Sequence, residues 1–293
     1  MRDTLNQVQL DMDQLLHESL EALSCPEPRL AEAMRYGLLN GGKRIRPLLA
    51  FAAAEAVGGQ SRQANAAAVA IEMIHSYSLV HDDLPAMDDD DLRRGKPTTH
   101  IAFDEATAIL AGDSLLTGAF EVLVGDENLS PAQQVALVSR MAKAAGAAGM
   151  VAGQSIDMCH VGKAMTLSEL ENMHRHKTGA LIQAAVLAGA ESVLYPLPDS
   201  VRSSLTRYAD NIGLAFQIQD DILDVEGDTA TLGKTQGADM ALNKPTYPAL
   251  LGLEGAKERA QTLIHEAISE LAALAGNTAT LAALASYIID RDH

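Results

Sequence analysis

The chain is 293 residues long, 47% hydrophobic and 3% aromatic, with a formal net charge of −17 at pH 7. That charge argues against nucleic acid and anionic membrane surfaces as partners, and Cys25 and Cys159, its only cysteines, form neither a metal-spaced pair nor a disulfide framework. Alanine-rich helical patterns, few strand-like alternations and no Pro/Ser-rich linker predict an all-α fold, with residues 1–293 forming one helical domain around a central cavity.

The opening segment MRDTLNQVQLDMDQLL lacks a signal-peptide apolar core, and no apolar stretch reads as long enough to span a bilayer. With the cysteine usage this fits a cytoplasmic chain. GGKRIRP, Gly41 to Pro47, then offers Lys43, Arg44 and Arg46 after a glycine pair. Alone, KRIR reads as a solvated helix start. The following stretch AVAIEMIHSYSLVHDD repeats Ile71, Ile74, His75, Ser78 and Asp82 at spacings of three, four or seven, which predicts a helix with His75 and Asp82 on one face. It runs into DDLPAMDDDD, Asp82 to Asp91. On an uninterrupted helix Asp88 would be turned roughly 120° away from Asp82. Pro85 removes a donor and clashes with the preceding turn, so Leu84 to Met87 should bulge or break, and a bulge is what returns Asp88 beside Asp82. Arg93 and Arg94 follow in LRRGKP, by itself a charged turn.

Alanine runs such as AKAAGAAGMVAG suggest close helix packing, in core or interface. Farther on, SLTRYADNIGLAFQI places Leu205, Tyr208, Ile212, Ala215 and Phe216 on one buried helical stripe. Continued at the same period, Gln217, Asp220, Asp221 and Asp224 share a face. GDTATLGKTQG, which carries Lys234, reads as a loop suited to a lid.

Carboxylates gathered at one site repel each other and call for a cation between them. Hard oxygen ligands without paired histidines or cysteines favour magnesium, manganese or calcium over zinc. Neither cluster has the alternating aspartates and closing glutamate of a calcium loop. Arginine forks hold phosphate without metal, so the basic segments and the acidic clusters predict two phosphate sites of different chemistry, and two substrates.

Both aspartate motifs, GGKRIRP, RRGKPT, GQSID at Gly153 to Asp157 and KTG at Lys177 to Gly179 together resemble the trans-isoprenyl diphosphate synthases, from near Gly41 to the C-terminus. The likeness is greatest to bacterial short-chain farnesyl diphosphate synthases, whose first motif has the spacing of DDLPAMD. The resemblance implies the isoprenoid synthase fold and head-to-tail condensation of isopentenyl diphosphate with dimethylallyl and geranyl diphosphate, giving farnesyl diphosphate and diphosphate. It implies about three magnesium ions per site, with manganese as a substitute. Asp82, Asp88 and Asp220 would bind them, and Asp83, Asp221 and Asp224 would complete or support the shell. Lys43, Arg46, His75 and Arg94 match residues that hold isopentenyl diphosphate; Arg93, Lys177, Lys234 and Lys244 match the allylic diphosphate side. Lys177, Thr178 and Gln217 lie where oxygens stabilise the allylic cation, and the released diphosphate takes the proton.

Tyr77 and Ser78, five and four positions before Asp82, are the chain-length positions. In the resembling family an aromatic in the place of Tyr77 accompanies a fifteen-carbon product. The resemblance also implies a homodimer, and a basic C-terminal residue, here Arg291, covering the filled site. A geranylgeranyl diphosphate synthase would share almost every motif, with Tyr77 against it. An HD-type metal phosphohydrolase would use His81, Asp82 and His75 but leave the second aspartate helix and GGKRIRP without a role. A noncatalytic partner subunit is opposed by the intact aspartate motifs.

Overall fold

The computed structural model describes residues 2–226 and 245–290. Helices account for nearly all regular structure, in keeping with the alanine-rich periodicity. In chain order they are α1 (Arg2–Ala22), α2 (Pro28–Leu38), α3 (Ile45–Ala56), α4 (Asn65–Asp82), α5 (Thr99–Ala102), α6 (Glu105–Gly125), α7 (Pro131–Ala145) and α8 (Met150–Cys159). After them come α9 (Leu167–His174), α10 (Ala180–Glu191), α11 (Asp199–Glu226), α12 (Tyr247–Leu251), α13 (Leu253–Glu270) and α14 (Ala279–Asp290). The strands among the described residues are two short ones, β1 (Leu92–Arg93) and β2 (Lys96–Pro97), paired antiparallel with Leu92 opposite Pro97.

α4 and α10 are the inner helices. Their residues from Ala66 to Ile74 and from Ala184 to Glu191 are buried almost without interruption, because apolar side chains surround the axis instead of lining one stripe. α4 packs against α6 and α3, and α10 against α3 and α11; α11 in turn pairs with α13. Small residues set the spacing of these pairs. A Cβ on Gly189 of α10 would lie 2.0 Å from the Ala50 carbonyl of α3, and one on Gly112 of α6 would lie 2.1 Å from the His81 ring of α4. Only glycine permits such approach.

The stripe expected on α11 is present, with Leu205, Tyr208, Ile212 and Ala215 fully buried. Phe216 departs from it: half-buried, it faces a cavity together with Ile182. A second expectation fails. Glu105–Gly125, and the run Pro131–Cys159 that the fold divides into α7 and α8, are long and apolar enough, by length and composition, to cross a bilayer. Alanine and glycine content raises their hydropathy; in the fold α6 spends it on contact with α4, through Ala108, Ala111, Gly112, Leu115 and Ala119.

Candidate active site

α4 ends at Asp82, and the chain then turns sharply through Pro85. The N–H of Asp88 donates to the Asp82 carbonyl at 2.8 Å, closing a loop six residues long. The break at Leu84–Met87 thus returns Asp88 to Asp82, the placement that the proline and the spacing require. Asp90 N–H donates to the Asp83 carbonyl, so the rest of the acidic run curls against the helix end. Asp82 and Asp83 diverge. Asp83 is buried and accepts a forked pair of bonds from Arg93, Nε to Oδ1 at 2.8 Å and to Oδ2 at 3.0 Å. Arg93 reaches it from β1, which turns back through Arg94 and Gly95, both at positive φ (54° and 75°), the signature of a two-residue hairpin turn.

The second half of the site is built around a π-helical segment, Arg175–Gly179, which interrupts the helix between α9 and α10. A π segment widens the turn and leaves carbonyls without their usual partners. α8 packs directly on it: a Cβ at Gly153 would come within 2.1 Å of the Lys177 backbone nitrogen. One turn along α8, Asp157 receives the Lys177 ammonium at 2.5 Å. The Thr178 hydroxyl donates to Gln217 Oε1 at 3.1 Å, and Gln217 Nε2 donates to Asp220 Oδ2 at 3.0 Å. Asp220 and Asp224 are half-buried on α11, whereas Asp221 is buried and accepts the Tyr247 N–H at 2.8 Å. The two motifs are therefore organised alike. One aspartate of each adjacent pair faces the site, and its neighbour fastens the chain segment that follows.

Beside the aspartates lies a cavity of about 430 Å³ lined by Lys43, Arg46, His75 and Arg94, with Ile182 and Phe216 as apolar walls. Its basic residues are held by local geometry. Gly42, at φ 121°, leaves room for the Arg94 guanidinium, which a Cβ there would meet at 2.6 Å; Arg94 in turn donates to the Gly41 carbonyl. Arg44 borders the same cavity but its guanidinium is already engaged. At φ 51° before α3, it is buried and pairs with Glu72 at 2.6 Å and Asp13 at 2.7 Å. Arg46 Nε is a buried donor without a partner among the described residues, as suits a residue whose acceptor is an anion.

Burial pushes the Asp82 carboxyl up to about 6; Lys177 opposes this, and Asp88 adds to it. Burial, then the surrounding Arg46, Arg94, Arg93 and Arg44, pushes His75 well below its ordinary value, so it is neutral at pH 7. Asp82 ends α4, and Asp220 and Asp224 lie in the last turns of α11, where the helix dipole is negative and a cation is favoured. Among the described residues no three carboxylate, imidazole or thiol groups could hold an ion unaided. The carboxylates of Asp82, Asp88, Asp220 and Asp224, hard oxygen donors, fit magnesium, which takes one or two carboxylates and completes its octahedron with phosphate oxygens and water.

Of the other sequence-predicted residues, Tyr77 is buried, edge-on to His81 at 5.7 Å between ring centres, and Ser78 donates to its own helix at the His75 carbonyl. His81 lies within 3.0 Å of the Ile109 carbonyl, while His75 lies among arginines, so the histidine–aspartate metal pair of an HD phosphohydrolase is not assembled. Lys234, Lys244 and Arg291 fall outside the described residues. Sequence reasoning missed Asp157, His174 and Gln9, the last of which lines the basic cavity from α1. Asp157 was findable, one helical turn after the glycine of GQSID; Gln9 carries no local signal.

An acid-edged, arginine-lined cleft between helices that end at it defines a class of diphosphate-handling all-α enzymes. The polyprenyl synthetase family model matches residues 27–283. A farnesyl diphosphate synthase of Haemophilus influenzae is 52% identical, over 99% of this chain and 98% of its own. A chloroplastic geranylgeranyl pyrophosphate synthase of Capsicum annuum is 50% identical, over 93% of this chain and 74% of its own. Among solved structures, an FPP/GFPP synthase from Zymomonas mobilis superimposes with a TM-score of 0.86 at 39% identity, covering 98% of each chain. The chain belongs to the polyprenyl synthetase family.

Proposed function

We propose that the chain is a magnesium-dependent farnesyl diphosphate synthase: it condenses isopentenyl diphosphate with dimethylallyl and then geranyl diphosphate, releasing diphosphate at each step. The observation that carries this reading is the junction at Lys177 and Thr178. There the charge of Lys177 acts on Asp82, Thr178 links through Gln217 to Asp220, and the arginine cavity opens alongside.

The two phosphate sites divide the labour. Lys43, Arg46 and Arg94 hold isopentenyl diphosphate by charge, with neutral His75 as a hydrogen-bonding wall and Glu72, paired to Arg44, as the carboxylate of the same cavity. Asp82, Asp88, Asp220 and Asp224 would hold about three magnesium ions, or manganese in their place. When bound, these neutralise the allylic diphosphate and stabilise the charge that develops as its carbon–oxygen bond breaks. Arg93 and Lys177 add fixed positive charge there, and by family likeness so do Lys234 and Lys244. The electron-poor carbon left behind faces oxygens of the π segment, Thr178 and Gln217. The isopentenyl double bond attacks it, and the departing diphosphate takes the proton, so no side chain need act as base.

We assign Tyr77, a buried aromatic five positions before Asp82, as the side chain that limits the product to fifteen carbons and not twenty. A homodimer is part of the proposal. The outer face of α6 exposes Ile109 (43%), Leu110 (54%) and Val124 (55%), an apolar strip that suits a partner copy. We place the enzyme in the cytoplasm as one domain. The deciding experiment is incubation of the purified chain with magnesium, isopentenyl diphosphate and geranyl diphosphate, followed by product chromatography. A main fifteen-carbon product supports the reading, a main twenty-carbon product favours the geranylgeranyl alternative, and inorganic phosphate without coupling overturns both.

A further inference from the structure

Three residues before Lys177, His174 closes α9 and leads into the π segment. It is 7% exposed, and neither ring nitrogen has a hydrogen-bond partner among the described residues. Its ring stacks on Tyr247, with centres 5.7 Å apart and planes 17° apart; Tyr247 is fully buried and its hydroxyl is likewise unpartnered. Burying polar atoms without partners is unfavourable, and a position that needed only volume would be better served by leucine or phenylalanine. Something therefore uses the imidazole.

Its surroundings narrow the use. The groups acting on the ring are Asp157, Lys177 and Gln217, and burial lowers its pKa to about 4, so it carries no charge at neutral pH. Lys177 and Asp157 are already bonded to each other. Gln217 approaches the ring closely enough to favour its protonated form through an incipient hydrogen bond, although neither ring nitrogen completes one in geometry. Its Oε1 accepts from Thr178 and has a second lone pair to offer. Stacking on Tyr247 fixes the plane of the ring, and the Tyr247 N–H bonded to Asp221 ties that plane to the second aspartate motif.

We propose that His174 is a positioning residue for the ionisation step, its ring N–H supplying the second hydrogen bond to the Gln217 carboxamide once substrates are bound, and so fixing Thr178 and Gln217 toward the cation. A neutral donor does this without placing positive charge beside a carbocation. The inference rests on the prenyl-coupling reading above, and wild-type activity tests that reading separately.

The test compares the wild type with His174→Phe, which keeps the stack and deletes both nitrogens, and with His174→Asn and His174→Gln, which restore one donor. We expect His174→Phe to lower kcat about tenfold, with KM for isopentenyl diphosphate and the melting temperature unchanged. At least one carboxamide variant should recover part of that loss. Wild-type kcat in His174→Phe overturns the proposal, as does a parallel fall in kcat, KM performance and melting temperature that neither carboxamide relieves. If His174→Phe does not fold, His174→Leu replaces it as the donor-free variant: a kcat below that of the better carboxamide variant at unchanged KM supports the proposal, and a kcat equal to wild type overturns it. A wild-type chain that does not couple the substrates refutes the functional reading instead.

Discussion

Asp82 holds an unfavourable charge in the metal-free protein. Burial raises its pKa from 3.8 to about 6, so between those values the folded chain keeps a proton that the unfolded chain has released. Stability from this group therefore falls as pH rises through that window, and the full penalty stands above it. Asp82→Asn should raise the melting temperature at pH 7.5 in EDTA by about 2–4 °C, roughly 1 kcal/mol after solvent screening, with little change at pH 4. The same variant should lose at least about a hundredfold in coupling. Thermal scans at the two pH values, with and without magnesium, check the sign. Tyr77 belongs to this scale too: Tyr77→Ala should shift the main product from fifteen to twenty carbons, read by chromatography, and an unchanged distribution would remove it as the floor. Much of the site was legible residue by residue, because aspartates at helical spacing declare their face. The divergence of Asp83 and Asp221 toward Arg93 and Tyr247 was not, since those partners come from other segments.

Between elements, glycine sets how closely helices approach the reacting groups. Gly153 lets α8 touch the π segment and thereby brings Asp157 to Lys177. Gly153→Ala must push α8 or Lys177 aside, at a cost of about 1–3 kcal/mol. We expect a lower melting temperature together with a fall in kcat of about tenfold or more, because Lys177 and Thr178 move as one unit. A variant with wild-type kcat would mean that α8 does not set the position of Lys177. The GQSID motif was visible as a string, but its use was not: a glycine five residues past an alanine run gives no hint of which backbone it touches. The helix interruption at KTG was easier to anticipate, as Thr-Gly within an apolar helical pattern invites one.

For the whole molecule, the apolar outer face of α6 is the feature that the monomer does not use. Replacing Leu110, 54% exposed, by aspartate should leave the monomer's core untouched and convert the proposed dimer to monomers in sedimentation velocity. A dimer that survives Leu110→Asp places the interface elsewhere. The same helix explains why hydropathy alone misleads here. Its length and apolarity would serve a bilayer, and what it does instead is pack Ala108, Ala111 and Gly112 against α4 while turning leucine and valine outward.

From the chain alone came the all-α class, the two aspartate faces, the basic segments and the break after Asp82, because each depends on spacing within a stretch of a few turns. Folding in three dimensions decided which groups meet: Arg44 paired with Glu72 and Asp13 while Arg46 keeps its Nε for the cavity, Asp157 set on Lys177, and His174 stacked on Tyr247 beside the second motif. Those pairings join residues far apart in sequence, and periodicity within one helix carries no information about the face of another.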